Sequence, residues 1–281
     1  MTSDNSLKGR LALITGASGG IGAACARKLV LYDVDLALTY SSNQLAIEEL
    51  VAQLRKDHDC QRPDAGYLRI STHKVDLSSA EETINLCEEV RKAHGRPVDI
   101  LVSNAGYGKR IQNVWWVTFL KFLKQPLIFT DIRLIREIPL EEFDRTININ
   151  LRSSFLLVKG VVEGMKKQRW GRIIFMSSIA AYGTGLNGCH YAASKGGLTG
   201  MMKNLSTRLA EFGITVNDVA PAMIGSTGMI PDGNIVPGLV DSIPLGRLGI
   251  PEEVANVVFM YCTTGYATGQ SFVLAGGLNH K

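Results

Sequence analysis

The sequence lacks the features that mark disulfide-bonded, zinc-binding and membrane-spanning proteins. Its five cysteines are odd in number, scattered and never spaced as CxxC, unlike those of a disulfide framework or a structural zinc site. The five histidines form no cluster along the chain, no run of about 20 uncharged apolar residues is present, and residues 1–9 are polar. We therefore expect a protein of a reducing compartment, the cytoplasm by default, with no metal site and no membrane contact.

Charge is neither abundant nor concentrated in this chain. Thirty basic and 26 acidic residues leave a net charge of +4, and the two signs are interspersed. Nucleic-acid-binding proteins usually concentrate basic residues in a patch or stripe, so no nucleic-acid partner is expected. With 281 residues, 46% of them hydrophobic, the chain is long enough to bury one well-filled core. We expect a single domain spanning residues 1–281.

Short apolar runs alternate with helix-like stretches along the chain. The runs predict strands at 11–14, 35–40, 67–75, 98–103, 172–177, 214–219 and 271–274. The stretches between them predict helices at 23–31, 43–57, 80–94, 140–167, 191–211 and 251–260, with a cap at Ser78 or Ser79 for the third. Alternating βα units predict an α/β fold in three layers around a doubly wound parallel sheet, the Rossmann fold.

A glycine-rich turn follows the first predicted strand. Residues 15–22 read TGASGGIG, and the helical pattern starts directly afterwards. Glycine allows positive φ angles and close approach of the backbone to a ligand, and the free N–H groups of a helix N-terminus bind phosphate. The pattern predicts that Gly16, Ser18, Gly20, Ile21 and Gly22 bind the pyrophosphate of a dinucleotide. The alternative is an ordinary glycine-rich strand-to-helix turn.

The end of the second predicted strand bears on the choice of cofactor. An acidic residue about twenty positions past the glycines binds the ribose 2′-OH in NAD-specific folds, but Tyr40, Ser41 and Ser42 occupy that place. Small hydroxyls there tolerate a 2′-phosphate, which favours NADPH over NADH. No arginine in this stretch marks a phosphate clamp. The alternative is that residues 41–43 simply cap the next helix.

The most informative motif is Tyr191-Ala-Ala-Ser-Lys195, with Ser178 thirteen residues before the tyrosine. Residues four apart share a helix face, and a cation lowers the pKa of a nearby phenol. We expect Lys195 to lower the pKa of Tyr191, and Ser178 to hold the oxygen that Tyr191 protonates or deprotonates. Ser177 is the neighbouring alternative to Ser178. By itself, Y-x-x-x-K is more often a surface pair.

Several polar or glycine-containing motifs directly follow predicted strands. They are the glycine turn, Asp76, Asn104–Gly106, Ser178 and Pro221. Because ligands bind at the carboxyl ends of the strands in open α/β sheets, these motifs are expected to meet at one edge of the sheet.

With these motifs in place, the chain resembles the classical short-chain dehydrogenase/reductase family over residues 8–278. The resemblance implies that Asn150 kinks its helix and holds a water linked to a proton relay, with Asn148 as a competing candidate. It implies that Asp76 binds the adenine amino group and Asn104 the adenosine pocket; a helix-capping aspartate and a strand-ending turn are the alternatives. The implied catalytic residues are Asn150, Ser178, Tyr191 and Lys195, and the implied cofactor contacts are Gly16, Ser18, Gly20, Ile21, Gly22, Tyr40, Ser41, Ser42, Asp76, Leu77, Asn104, Ala105, Gly106, Tyr191, Lys195, Pro221 and Ile224.

Within that family, several motifs resemble 3-oxoacyl-(acyl-carrier-protein) reductases, and residues 220–231 resemble their fungal branch. The resemblance implies NADPH-dependent reduction of a 3-oxoacyl thioester in fatty acid biosynthesis. It also implies a homotetramer or homodimer that uses helices 140–167 and 191–211, in the cytoplasm or in mitochondria. Residues 222–246 are expected to form a mobile substrate loop. Alternatives are a reductase of a polyketide, sugar or steroid ketone, and a cofactor-binding protein with impaired catalysis.

One segment departs from the family pattern. Asn150 lies 46 positions after Asn104, about twice the separation expected from the resemblance. The surplus falls at 112–133, which contains two of the three tryptophans and would be an aggregation hazard if exposed. It could cover the substrate cleft or form an oligomer contact, be a poorly ordered loop, or be a translated retained intron. The intron hypothesis is favoured because removing about 22 residues restores the expected spacing. A segment over the cleft would block or reshape the nicotinamide pocket and impair catalysis.

Overall fold

A single parallel sheet of seven strands forms the centre of the computed structural model, which describes residues 4–61, 68–108, 138–183, 187–230 and 240–278. The strands are β1 (Leu11–Ile14), β2 (Asp35–Tyr40), β3 (Ile70–Lys74), β4 (Ile100–Ser103), β5 (Gly171–Met176), β6 (Ile214–Pro221) and β7 (Ser271–Leu274). Their spatial order is β3-β2-β1-β4-β5-β6-β7. The order reverses direction between β1 and β4, which is where a doubly wound sheet opens a ligand crevice. The predicted fold class is confirmed.

Helices cover both faces of the sheet. They are α1 (Gly20–Val30), α2 (Gln44–Gln61), α3 (Ala80–His94), α4 (Leu140–Ile147), α5 (Ser153–Gln168), α6 (Gly188–Leu209) and α7 (Pro251–Thr263). Single 3₁₀ turns lie at Ile179–Tyr182, Ala210–Phe212 and Val240–Ser242. None of the described helices is long and apolar enough to cross a membrane. Among the described residues, no three His, Cys, Asp or Glu side chains are grouped as metal ligands.

The core consists of two apolar layers, one on each face of the sheet. In β1, Ala12 and Ile14 belong to the layer under α1, α2 and α7, whereas Leu11 and Leu13 belong to the layer under α3, α5 and α6. All four are fully buried, because a strand covered on both faces has no solvent side. Each large apolar side chain buried in this way contributes about 1.5–3 kcal/mol. Because all seven strands are parallel, their carboxyl ends lie along the same edge of the sheet, and the two layers fix them there.

The start of α3 is capped as the sequence predicts. The Ser79 hydroxyl accepts from the Glu82 N–H, and the Glu82 carboxylate accepts from the Asp76 N–H. The first bond satisfies an N–H group that the helix itself leaves unpaired, and the second ties the Glu82 side chain to the turn before the helix. They also fix the chain at Asp76, directly after β3.

The prediction of one regular helix over residues 140–167 is wrong. The structure divides it into α4, a π-helical turn at Asn148–Arg152 and α5. The Ser153 hydroxyl donates to the Ile149 carbonyl and the Ser154 hydroxyl to the Asn150 carbonyl, so two side chains bond to the widened turn. Such turns occur mostly at functional sites, and this one contains Asn150, the residue at which the resemblance implies a kink.

Other boundaries differ from the predictions by a few residues. Helix α1 begins at Gly20 rather than at 23, and α6 begins at Gly188 rather than at 191. Both starts lie in glycine-containing turns, where the apolar pattern gives no signal. Strand β3 covers Ile70–Lys74 rather than 67–75, and residue 67 lies outside the described residues. Strand β6 extends two residues beyond 219, to Pro221.

A serine is shared by two histidines between β3 and α3. The Ser71 hydroxyl lies 2.8 Å from His73 Nε2 and 2.9 Å from His94 Nε2. Because a hydroxyl has one proton, Ser71 donates to one ring and accepts from the other, so at least one ring must carry its proton on Nε2. Burial lowers the pKa of both histidines, and a hydrogen bond with Glu89 offsets part of the effect at His73.

We expect the free energy of unfolding to fall as the pH falls below about 6.5. An unfolded histidine takes up a proton near that pH, whereas the lowered pKa values of His73 and His94 delay protonation in the folded state. Between the lowered and the ordinary pKa, the unfolded chain binds more protons, so acid destabilises the fold. Urea unfolding from pH 5 to 8 measures this, and a His73→Gln, His94→Gln double variant should show a flatter profile. Equal slopes would contradict the assignment.

Candidate active site

A cleft of about 600 Å³ lies at the carboxyl ends of the strands, a volume that suits a bound organic ligand. Most of the predicted site residues line it, and the structure brings them together from seven separate segments of the chain. They are Gly16, Ser18, Gly20, Ile21, Tyr40, Ser41, Asp76, Leu77, Asn104, Ala105, Gly106, Ser178, Tyr191, Lys195, Pro221 and Ile224.

Three predicted residues do not line the cleft. Ser42 is exposed beyond it. Gly22 lies beneath the glycine turn, where a Cβ would collide with the carbonyl oxygen of Gly16 and lie 2.9 Å from Asn104 Nδ2. Asn150 is buried behind the cleft wall. Gly22 and Asn150 therefore support residues that face the cleft.

The glycine turn is fastened to the neighbouring strands. Gly16 has a φ of 65°, and the Ala17 N–H donates to the Thr39 carbonyl at 2.8 Å. The Asn104 amide donates to the Thr15 carbonyl at 2.9 Å, and Thr15 Oγ1 accepts from the Ala105 N–H. The turn is thus held open over the N-terminus of α1, a geometry that accommodates a pyrophosphate.

Replacing Gly22 with alanine is expected to destabilise the protein by about 1–3 kcal/mol and to weaken dinucleotide binding. The added methyl group would displace the Gly16 carbonyl and so distort the turn. Gly200→Ala is the matched control, since a Cβ at Gly200 meets nothing within 4 Å and alanine favours a helix interior by about 0.5–1 kcal/mol. Urea unfolding and fluorescence titration provide the measurements. Equal effects of both substitutions would argue against this account.

One end of the cleft carries Tyr40, Ser41 and Asp76. The Asp76 carboxylate accepts from the Ser78 N–H at 2.8 Å, and the hydrogen bonds from Ser78 hold the pKa of Asp76 below its usual range. Two positions are predicted for Asp76, one in the turn that caps α3 and one facing the ligand. The structure is compatible with both, because Asp76 lies in the turn before α3 and also lines the cleft. Its ionised carboxylate is an acceptor for an amino group.

The other end of the cleft contains Ser178, Tyr191 and Lys195. The Lys195 ammonium lies 5.6 Å from the centroid of the Tyr191 ring, which confirms the shared helix face, and donates to the Met176 carbonyl at 2.7 Å. Ser178 begins a 3₁₀ turn and faces the cleft. The neighbouring Ser177 hydroxyl is buried and donates to Asp218, so the geometry favours Ser178 over Ser177.

The expected lowering of the Tyr191 pKa is not present in this structure. Burial raises the pKa of Tyr191 to about 12, and a hydrogen bond with Ser178 offsets part of that rise. Burial also lowers the pKa of Lys195 to about 8, with Asp218 opposing the shift. Desolvation is the largest cause of both shifts, and the lysine is directed at a backbone carbonyl. Tyr191 therefore holds its proton at neutral pH.

Asn150 fastens the segment after β4 to α6. Its Oδ1 accepts from the Tyr107 N–H at 2.7 Å, and its Nδ2 donates to the Tyr107 carbonyl and to Ser194 Oγ. Ser194 in turn donates to the Tyr191 carbonyl at 2.7 Å. Asn148 is only half-buried. Asn150, rather than Asn148, thus connects the widened turn to the helix that carries Tyr191.

Comparison with known proteins identifies the family. Residues 10–234 match the short chain dehydrogenase family, which is most of the chain. The chain belongs to the short-chain dehydrogenase family. It is a nicotinamide-dependent oxidoreductase that interconverts CH–OH and C=O groups.

Related short-chain dehydrogenases match nearly the whole chain. The chain is similar to 3-oxoacyl-(acyl-carrier-protein) reductases of Rickettsia felis and Pseudomonas aeruginosa, at 35% identity to each, and of Aquifex aeolicus, at 31%; every alignment covers 97% of this chain and 98% of the relative. A solved structure of a Serratia marcescens short-chain dehydrogenase/reductase double mutant has 27% identity and a TM-score of 0.77, covering 97% of this chain and 99% of that one.

Several cleft residues of this short-chain dehydrogenase are not among the individual site residues that the sequence predicts. Tyr107, Arg145, Asn187, Thr227 and Met229 also line the cleft. Met229 belongs to the predicted substrate loop 222–246, of which residues 231–239 lie outside the described residues, and its sulfur is 4.0 Å from the Tyr191 hydroxyl. Tyr107 follows the Asn-Ala-Gly motif directly, which was the available signal.

The atypical segment of this short-chain dehydrogenase, predicted at 112–133, lies outside the described residues, as do all residues from 109 to 137. Directly before it, Gly108 packs in the cleft. A Cβ at Gly108 would lie 3.1–3.2 Å from Asn187 Nδ2, Met229 Cε and Tyr191 Cε2. The chain therefore passes the Tyr191 ring immediately before residue 109.

Proposed function

We propose that this protein uses NADPH to reduce the ketone of a 3-oxoacyl thioester. Relatives that match nearly the whole chain are 3-oxoacyl-(acyl-carrier-protein) reductases. The observation that carries the proposal is the continuous cleft with Asp76 and Ser41 at one end and Ser178, Tyr191 and Lys195 at the other. The turn at Gly16 and the small residues Ala105 and Gly106 lie along it and leave room for a dinucleotide.

The chain's own residues supply the proton chemistry. Reduced nicotinamide, when bound, supplies the hydride. Ser178 donates a hydrogen bond to the substrate carbonyl oxygen, and Tyr191, which holds its proton because its pKa is about 12, gives that proton to the same oxygen as negative charge develops on it. Lys195 binds the ribose beside the nicotinamide. Asn150 sets the position of the Tyr191 helix through Ser194 and supports the proton supply.

NADPH is the proposed cofactor because Tyr40, Ser41 and Ser42 occupy the end of β2, where NAD-specific folds carry an acidic residue. Tyr40 and Ser41 line the cleft there, and neither repels a 2′-phosphate. In NAD-specific folds this position is acidic and would repel it.

Steady-state rates test the proposal directly. Oxidation of NADPH is followed with an acetoacetyl thioester and with a panel of small ketones that includes sugar, steroid and polyketide-like substrates. We expect kcat/KM to be at least about tenfold higher for the thioester than for any other ketone, and higher with NADPH than with NADH. Preference for another ketone would assign a different reductase. NADPH binding without turnover on any ketone would assign a cofactor-binding protein.

We also propose an oligomeric state and a cellular compartment for this protein. Phe143 on α4 and Phe155 on α5 are large apolar side chains with 40% and 54% exposure, which supports a homotetramer or homodimer through α4, α5 and α6. The proposed compartment is the cytoplasm, with mitochondria as the alternative. The relatives named above are bacterial. A fungal affiliation is proposed from the sequence of residues 220–231 alone. Light scattering after gel filtration measures the assembly.

A further inference from the structure

An arginine that belongs to none of the motifs found in the sequence lines the cleft. Arg145 belongs to α4, is exposed, and lines the cleft together with Asp76. Its guanidinium carbon lies 4.9 Å from the centroid of the Tyr107 ring, so the cation rests on an aromatic face. Guanidinium groups stack on aromatic rings in this way while their edges stay hydrated.

The ring under Arg145 is fixed in place. The Tyr107 phenol donates to Glu142 at 3.2 Å, and the Tyr107 backbone forms two hydrogen bonds to Asn150, of 2.7 and 2.9 Å. Contacts at the side chain and at the backbone therefore hold Tyr107. The ring therefore offers the Arg145 guanidinium a fixed aromatic face to rest on.

The charge next to Arg145 selects the kind of group that can lie against it. Asp76 is close enough for Arg145 to contribute to the lowering of its pKa, after the larger effect of Ser78. The ionised carboxylate repels a phosphate dianion, but it accepts a hydrogen bond from an aromatic amino group. A neutral planar ring with an exocyclic amino group fits both residues.

We propose that Arg145 is an adenine-binding residue, whose guanidinium stacks on the adenine ring while Asp76 accepts from its amino group. The inference rests on the proposed function, since it takes a dinucleotide as the ligand of the cleft. It adds a contact from α4 to those proposed from the strand ends and from α6. Tyr107, Arg145 and adenine form one continuous stack.

Titration calorimetry on the full chain tests the stack with cofactor fragments. The ligands are NADPH, NADH, ADP-ribose, which has adenine without nicotinamide, and reduced nicotinamide mononucleotide, which has the converse. Arg145→Met should weaken binding of the three adenine-containing ligands about tenfold, or about 1.4 kcal/mol, and leave the mononucleotide unchanged. Arg145→Lys should lose a similar amount, because it keeps the charge without the plane. Arg91→Met is the control, since Arg91 is exposed on α3 and pairs with Glu88.

Each other result overturns the inference in a distinguishable way. Unchanged affinities in Arg145→Met would leave the proposed function intact and exclude Arg145 from adenine binding. Full affinity in Arg145→Lys would mean that charge, and not stacking, is used. A loss confined to NADPH would assign Arg145 to the 2′-phosphate. If the wild-type chain binds none of the four ligands, the proposed function is wrong and the inference falls with it.

Discussion

Replacing Tyr191 with phenylalanine is expected to abolish ketone reduction and to leave NADPH binding intact. The phenol is the buried proton source beside Ser178, and its raised pKa keeps it protonated at neutral pH. General acid catalysis contributes about 10²–10⁴-fold, so kcat should fall by at least that range. The ring remains in place, so a cofactor held by the glycine turn and Lys195 should bind within about twofold of wild type. Stopped-flow reduction and fluorescence titration measure the two quantities.

Tyr32→Phe is the matched control for this substitution. Tyr32 has 40% exposure and packs against Phe259, on the opposite side of the sheet from α6. Its loss of a hydroxyl should leave kcat unchanged. A Tyr191→Phe enzyme with a near wild-type rate would remove Tyr191 from the proton transfer and leave Ser178 as the residue to examine.

Replacing Lys195 with methionine is expected to lower kcat/KM at least about 100-fold while making the protein more stable. Burial lowers the pKa of Lys195 to about 8. The lysine is therefore still charged at neutral pH, although its burial makes the charged form unfavourable. The cost of this burial is about 3 kcal/mol, and losing the hydrogen bond to the Met176 carbonyl costs about 1 kcal/mol. We expect a net gain of about 2 kcal/mol at pH 7, measured by urea unfolding.

The sign of this stability change follows from linkage. A lysine whose folded pKa is lowered destabilises the fold at every pH below that value, and the effect disappears as the pH rises toward the ordinary pKa. The gain from Lys195→Met should therefore be full at pH 7 and shrink above pH 8. The control is Lys203→Met, at an exposed site on the same helix. It should leave kcat/KM unchanged and alter the free energy of unfolding by no more than about 0.5 kcal/mol. An inactive Lys195→Met protein that is also less stable would mean that the lysine is structural.

The parts of the site that could be predicted are those fixed by local sequence. The glycine turn needs glycine because of its positive φ angle and its close contacts, and Tyr191 and Lys195 are one helical turn apart whatever surrounds them. Strands β1, β2 and β7 match their predicted bounds because apolar runs of four to six residues are too short for a helix.

The parts that could not be predicted depend on contacts between distant segments. Arg145 reaches the cleft only because α4 packs across from Asp76, and no pattern in the sequence marks it. The pKa of Tyr191 is opposite to expectation because burial decides it, and burial is a property of the whole fold. The π-helical turn depends on the fit between Asn150 and Tyr107.

The widened turn between α4 and α5 makes this stretch sensitive to length. It contains about one residue more than a regular helical turn, and each residue of a helix corresponds to 100° of rotation about its axis. Because the wide turn already accommodates its extra residue, deleting one residue from Asn148–Arg152 would restore a regular turn without rotating α4 relative to α5. Inserting a further residue would instead rotate α4 and everything on it by roughly 100°. Natural variants of this protein should therefore accept exchanges of side chain here more readily than insertions.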